Sequence, residues 1–132
     1  SGGSRMPLTA EAIASGDHFL RMEGRSVFKW AVRVVSDSLQ DCLTHAGLDI
    51  GQINLMILHQ ANMRIIDSAV SDFGFDRNKV FVNLERYGNT SAASIPLALD
   101  EALTSGALKP GELVMLCGFG SGLAWGTAIW QL

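Results

Sequence analysis

Charge is scarce in this sequence: only 17% of its residues are Asp, Glu, Lys or Arg, where about a quarter is usual. The 132 residues are 48% hydrophobic, with a mean hydropathy of +0.22, which is enough apolar material for one domain with a real core. Such a domain has too little polar surface to stand alone, so the composition implies a large interface buried against another domain or subunit. A basic excess is missing too. Ten Lys and Arg against thirteen Asp and Glu give a net charge of −3 and a pI near 5.5, which argues against a nucleic-acid surface and leaves any anionic partner to a local patch. Two cysteines do not build a disulfide framework, and neither stands in a Cys-x-x-Cys pair. No two histidines have the i, i+4 spacing of a zinc site, so no metal is expected. No apolar run approaches the roughly 20 residues that cross a bilayer, and the N-terminus lacks a signal pattern. The chain reads as cytoplasmic. It begins Ser1-Gly2-Gly3-Ser4 without a methionine, which reads as a start inside a longer polypeptide.

What is present is strand and helix in alternation. Residues 1–17 are small and polar and read as a loop or linker, continuing from an amino-terminal half not in this sequence; 18–132 form the domain. The alternation over 18–22 predicts a short strand. From Gly24, apolar residues including Val27, Ala31, Val35, Leu39 and Leu43 recur at helical spacing until Gly47. Residues 54–58 are a continuous apolar run, a strand buried on both faces. A helix carrying Ile65, Ile66, Ala69, Val70 and Phe73 follows and stops at Gly74; 80–82 predict another short strand. Thr90 or Ser91 can cap the next helix, which runs to about Ser105 with Pro96 near its start. Residues 113–117 and 123–130 are the last strands, joined by Gly118-Phe119-Gly120-Ser121-Gly122. The fold class is α/β: a mixed sheet with helices on its faces.

Ligands of such sheets bind beyond the carboxyl ends of the strands, and two polar segments lie there. His59-Gln60-Ala61-Asn62 follows the buried strand 54–58, and Tyr87-Gly88-Asn89-Thr90-Ser91 precedes a helix. A neutral imidazole and a carboxamide can aim two hydrogen-bond donors at one developing negative charge, the equipment for stabilising an enolate. Each residue also has a plainer reading. A histidine at a strand end often ties it to a neighbouring group, Asn89 suits a turn, and Asn62 suits a helix N-cap. The glycine segment 118–122 feeds a strand rather than a helix, so it is not a dinucleotide loop but backbone that comes close to something. Cys42 falls on an apolar helical stripe. Cys117 has no adjacent basic group to lower its pKa, so a nucleophile, if one is needed, comes from elsewhere.

Three segments together carry a resemblance: His59-Gln60-Ala61-Asn62-Met63-Arg64-Ile65-Ile66, Tyr87-Gly88-Asn89-Thr90-Ser91-Ala92-Ala93-Ser94-Ile95-Pro96, and Phe119-Gly120-Ser121-Gly122-Leu123-Ala124-Trp125-Gly126. In this order and at compatible spacing, and extending back through Met22-Glu23-Gly24-Arg25-Ser26-Val27-Phe28-Lys29, the chain resembles the carboxyl-terminal half of beta-ketoacyl-acyl-carrier-protein synthase III. The resemblance implies a thiolase-like layered fold of which this chain is one half, usually within a homodimer. It also implies a reaction: an acyl group passes from coenzyme A to a cysteine of the amino-terminal half, and condenses decarboxylatively with malonyl-acyl carrier protein.

By the same resemblance His59 and Asn89 are the catalytic pair that holds the thioester enolate. Asn62 and Gly24 line the pantetheine channel, Met22 and Phe28 its apolar wall, and Phe119 with the Gly120-Ser121 backbone the acyl end and oxyanion hole. Ser121 stands where many members have glycine. Lys29, Arg33 and Arg64 are candidates for docking the acyl carrier protein or coenzyme A phosphates, Lys29 being equally readable as a solvated helix residue. The implied partners are the missing half, the carrier protein and a second copy, with no nucleic acid or membrane and no cofactor beyond the thioester substrates. The fragment alone is expected to be inactive. A related condensing enzyme or acyltransferase of secondary metabolism shares these motifs, and a non-catalytic pairing subunit is the alternative from another class.

Overall fold

The computed structural model describes residues 2–19 and 21–132. A short helix α1 (Ala10–Ala14) lies inside the segment expected to be loop, because the Thr9 hydroxyl accepts the Ala12 N–H at 3.2 Å and the enclosed residues favour helix. At the described residues of 18–22 the expected strand is not formed. His18 and Phe19 lie in the turn and bend after α1, Arg21 and Met22 are irregular, and Leu20 falls outside the described residues. Among the described residues no strand runs beside them, so an alternating sequence had no ladder to join.

The long helix α2 (Gly24–Ala46) forms as its periodicity predicts and buries Ala31, Val35, Leu39 and Leu43, a stripe of i, i+4 neighbours. Strand β1 (Leu55–Leu58) is buried at all four positions. Its alternate side chains divide the core. Met56 and Leu58 face a cluster with Val35 and Leu39 of α2 and with Ile66 and Val70 of α3 (Met63–Phe73). Leu55 and Ile57 face the other side, toward α5 (Ser94–Thr104) with its Ala98 and Ala102. Both α2 and α3 end on a left-handed glycine, Gly47 and Gly74.

Between α3 and α5 the chain departs from expectation. Residues 80–82 touch the sheet at one point, a parallel bridge of Val80 to Met56 with the Phe81 N–H bonded to Met56 O at 2.9 Å. The chain then leaves the ladder because the next amide, of Asn83, is claimed by the side chain of Gln60. A four-residue helix α4 (Leu84–Tyr87) follows, too short to announce itself by periodicity. Neither Thr90 nor Ser91 caps α5. A single 3-10 turn (Ser91–Ala93) leads into it, and the side chain of Asn89 accepts the Ser91 N–H at 2.9 Å instead. Pro96 is the third residue of α5, where no intrahelical partner for its nitrogen exists.

Strand β2 (Leu113–Gly120) runs longer than expected, while β3 (Ala124–Gln131) keeps its expected length one residue further on, since the glycines pair across the ribbon rather than forming a wide loop: Gly118 opposes Gly126 and Gly120 opposes Ala124. The sheet order is β1-β2-β3, with β1 parallel and β3 antiparallel to β2. This is the mixed sheet the sequence implied, with α2 and α3 on one face and α5 on the other. Helix α5 covers β1 and β2 only. On that face β3 presents Ala124, Gly126, Ala128 and Trp130 to solvent, an apolar strip with no cover among the described residues. No helix among the described residues is long and apolar enough to cross a membrane.

Leu39 is fully buried between α2 and the sheet. Replacing it by Ala should cost about 3 kcal/mol, read as a lower denaturant midpoint, whereas the same change at exposed Leu103 should move it little.

Candidate active site

His59 is placed by the end of the ladder. Its N–H bonds to Cys117 O at 2.8 Å, one residue past the last β1–β2 pair, and its own carbonyl accepts the Ala61 N–H at 2.8 Å in a tight turn. The half-buried ring rests edge-on against Phe119, centroids 5.3 Å apart, and Nδ1 lies 2.6 Å from the Ser94 hydroxyl at the start of α5. Burial lowers the pKa of His59, favouring the neutral ring. The N-terminus of α5 at its flank acts in the same direction, because a helix start disfavours a cation.

Asn89 is placed by its neighbours. Gly88, with φ 66° and ψ −161°, occupies a region closed to side-chain-bearing residues and turns the chain sharply out of α4. Asn89 Oδ1 then accepts the Ser91 N–H, which fixes the amide orientation, since a backbone donor requires the oxygen. Its Nδ2 has no partner among the described residues. Ser91 itself sits at φ 56°, so this turn is strained for a non-glycine residue.

Polar contacts tie the two arms together. Gln60, buried, donates from Nε2 to Leu58 O at 2.7 Å and accepts the Asn83 N–H at 3.2 Å. Asn83 in turn donates to Glu101 of α5 at 3.0 Å, and the same carboxylate receives Arg86 and the Tyr87 hydroxyl, clamping α4 onto α5. The hydrogen bonds from Tyr87 and Asn83, with Arg86 beside them, hold Glu101 below the usual carboxylate range. Sequence reasoning missed Gln60, Asn83, Ser94 and Glu101 as parts of the site. Only their places within the quoted motifs, for Gln60 and Ser94, offered any signal.

His59 and Asn89 line one cleft of about 620 Å³, and every position expected to contact substrate lines it with them: Met22, Gly24, Phe28, Asn62, Phe119, Gly120 and Ser121. Arg21, Trp30 and Ile65 also line it and were not anticipated. Asn62 fulfils both of its readings, capping α3 through Arg64 N–H at 2.8 Å while bordering the cleft. His59, Asn89 and Phe119 border a second hollow too, of about 830 Å³, which opens toward Ile95, Gly118 and Ala124 on the uncovered side of β3. The pair thus stands on a ridge between two spaces.

The docking candidates lie outside both hollows. Lys29, Arg33 and Arg64 are exposed, and Arg33 pairs with Asp37 at 3.6 Å. Cys117 is buried in the core and burial pushes its thiol up, so it is no nucleophile; Cys42 lies on α2. No group of three or more His, Cys, Asp or Glu among the described residues could hold a metal ion.

Solved structures place this architecture. The chain is similar to beta-ketoacyl-[acyl carrier protein] synthase III of Thermus thermophilus, with a TM-score of 0.82 and 47% identity over 85% of this chain and 35% of that one. A second crystal structure of a 3-oxoacyl-(acyl-carrier-protein) synthase III matches 99% of this chain and 42% of its own, with a TM-score of 0.92 and 31% identity. The layered fold is therefore thiolase-like. A sequence model of the 3-oxoacyl-[acyl-carrier-protein] synthase III carboxyl-terminal region matches residues 43–132, and the Rhodopirellula baltica beta-ketoacyl-[acyl-carrier-protein] synthase III is 60% identical over 99% of this chain. The chain belongs to the 3-oxoacyl-[acyl-carrier-protein] synthase III family and corresponds to its carboxyl-terminal part. It spans about 38% of the length of that relative.

The burial of His59 has a measurable sign. A native pKa below the usual value of about 6.5 means that the unfolded chain takes up the proton first. Stability should be complete above about 6.5 and fall as pH drops toward the native pKa, and a titration by NMR should put the His59 midpoint below 6.5. A midpoint above that value would refute the burial argument.

Proposed function

We propose that the full-length protein catalyses the decarboxylative Claisen condensation that initiates fatty acid synthesis, and that this chain supplies the enolate-stabilising pair. The reading rests on one observation: the His59 imidazole, whose burial favours the neutral form, and a carboxamide nitrogen with no partner among the described residues border the same cleft at the ends of two locked loops.

The chemistry follows from the charges. An acyl group is first transferred from coenzyme A to a cysteine thiolate in the remainder of the protein. Malonyl thioester on the acyl carrier protein then enters the cleft. Its carbon–carboxylate bond breaks, carbon dioxide leaves, and the electron pair moves onto the thioester oxygen as an enolate. Donors from His59 and Asn89 hold that oxygen, and they are worth far more in a partly buried cleft than in water. Neither is an acid strong enough to quench the enolate carbon, which attacks the acyl-cysteine carbonyl and expels the thiolate. The apolar wall of Met22 and Phe28 receives the pantetheine arm, and Phe119 stands at the acyl end.

The remainder of the protein carries the cysteine and covers the apolar strip of β3, beside the second hollow that borders His59 and Asn89. Support for this comes from the charge-poor composition and from the length of the relatives. Lys29, Arg33 and Arg64 steer the acidic carrier protein toward the cleft. The enzyme works as a cytoplasmic homodimer, and this chain by itself is inactive.

Replacing Asn89 by Ala in the full-length protein should lower malonyl decarboxylation by at least a hundredfold, the cost of about 3 kcal/mol for one lost donor. Acylation of the cysteine should be nearly unchanged. Equal loss of both half-reactions would make Asn89 structural and overturn the assignment.

A further inference from the structure

The Ser94 side chain is buried and meets two polar groups, the Gln60 N–H at 3.3 Å and His59 Nδ1 at 2.6 Å. A backbone N–H can only donate, so Ser94 Oγ accepts from Gln60. The hydroxyl has one proton to place, and among the described residues His59 Nδ1 is the only other group hydrogen-bonded to it. The proton therefore points at Nδ1. A ring nitrogen that accepts is unprotonated, so the proton of the neutral imidazole sits on Nε2. In the opposite arrangement Nδ1–H donates to Ser94, the buried serine proton has no acceptor, and Nε2 is a bare lone pair.

We propose that Ser94 is a positioning residue that locks His59 in the Nε2–H tautomer, so that the ring offers a donor to the same cleft as Asn89 Nδ2. The inference rests on the proposed role of His59 and deepens it. A lone pair at Nε2 would repel an enolate oxygen, so a histidine in the wrong tautomer is no use to the reaction even in the right place. Burial favours the neutral ring, and in that form the tautomer is the deciding variable. The lock is rigid because Ser94 opens α5, and because the Gln60 that bonds it also holds Asn83 and Leu58 O. One hydroxyl thus couples the tautomer of His59 to the arm that leads to Asn89.

The test is long-range 1H–15N spectroscopy of the full-length protein labelled at histidine, with the His59→Gln variant to assign the signals. Nδ1 of His59 should resonate as an unprotonated and Nε2 as a protonated ring nitrogen at neutral pH. The reverse pattern, or an even mixture, overturns the proposal without any Ser94 variant having to fold. In Ser94→Ala the Nδ1–H form should become populated and malonyl decarboxylation should fall about tenfold, the effect of one lost hydrogen bond, while cysteine acylation is unchanged. Ser94→Cys, which retains a weak donor, should recover part of the Nε2–H population. An unchanged tautomer in Ser94→Ala overturns the lock. A changed tautomer with undiminished decarboxylation supports the lock and instead removes His59 as an enolate donor.

Discussion

The side-chain amide of Gln60 is the joint on which the cleft depends. It sits directly after His59, returns one hydrogen bond to Leu58 O, and accepts the amide of Asn83, the residue from which the chain turns toward Asn89. Two side chains on separate loops keep their places in one cleft only if the loops are fixed to each other as well as to the core. Gln60 does this from a buried position, where a broken polar contact costs about 1–3 kcal/mol and water cannot substitute. Its own place is secured by β1, whose four buried residues leave the strand no freedom to slide.

From that joint outward the layers follow. Strand β1 divides the apolar core, so α2 and α3 press on one face and α5 on the other. Because α5 is held against the sheet, Ser94 at its start reaches the imidazole and Glu101 near its end reaches α4. One helix therefore braces both halves of the pair.

How far residues alone reveal such a structure depends on how local the cause is. Helix α2, helix α3 and β1 were readable because periodicity and apolar runs act over neighbouring residues. The segments 18–22 and 80–82 looked like strands by the same measure, but a strand needs a partner, and no local pattern says whether one is there. His59 and Asn89 stood out by chemical type at strand and helix ends. Ser94, Asn83 and Glu101 did not, since their contacts join residues 35, 23 and 18 positions apart and involve side chains common on any surface.

Asn62 shows how the cleft wall is bound to the scaffold. The same side chain caps α3 and borders the cleft. A change there intended to reshape the cleft also uncaps a helix, at about 1 kcal/mol for Ala, unless the newcomer is Asp, Ser or Thr. A replacement that keeps the cap is thereby confined to a few small polar residues. The cleft is more readily reshaped through wall residues that cap no helix, such as Met22 and Phe28, than through Asn62.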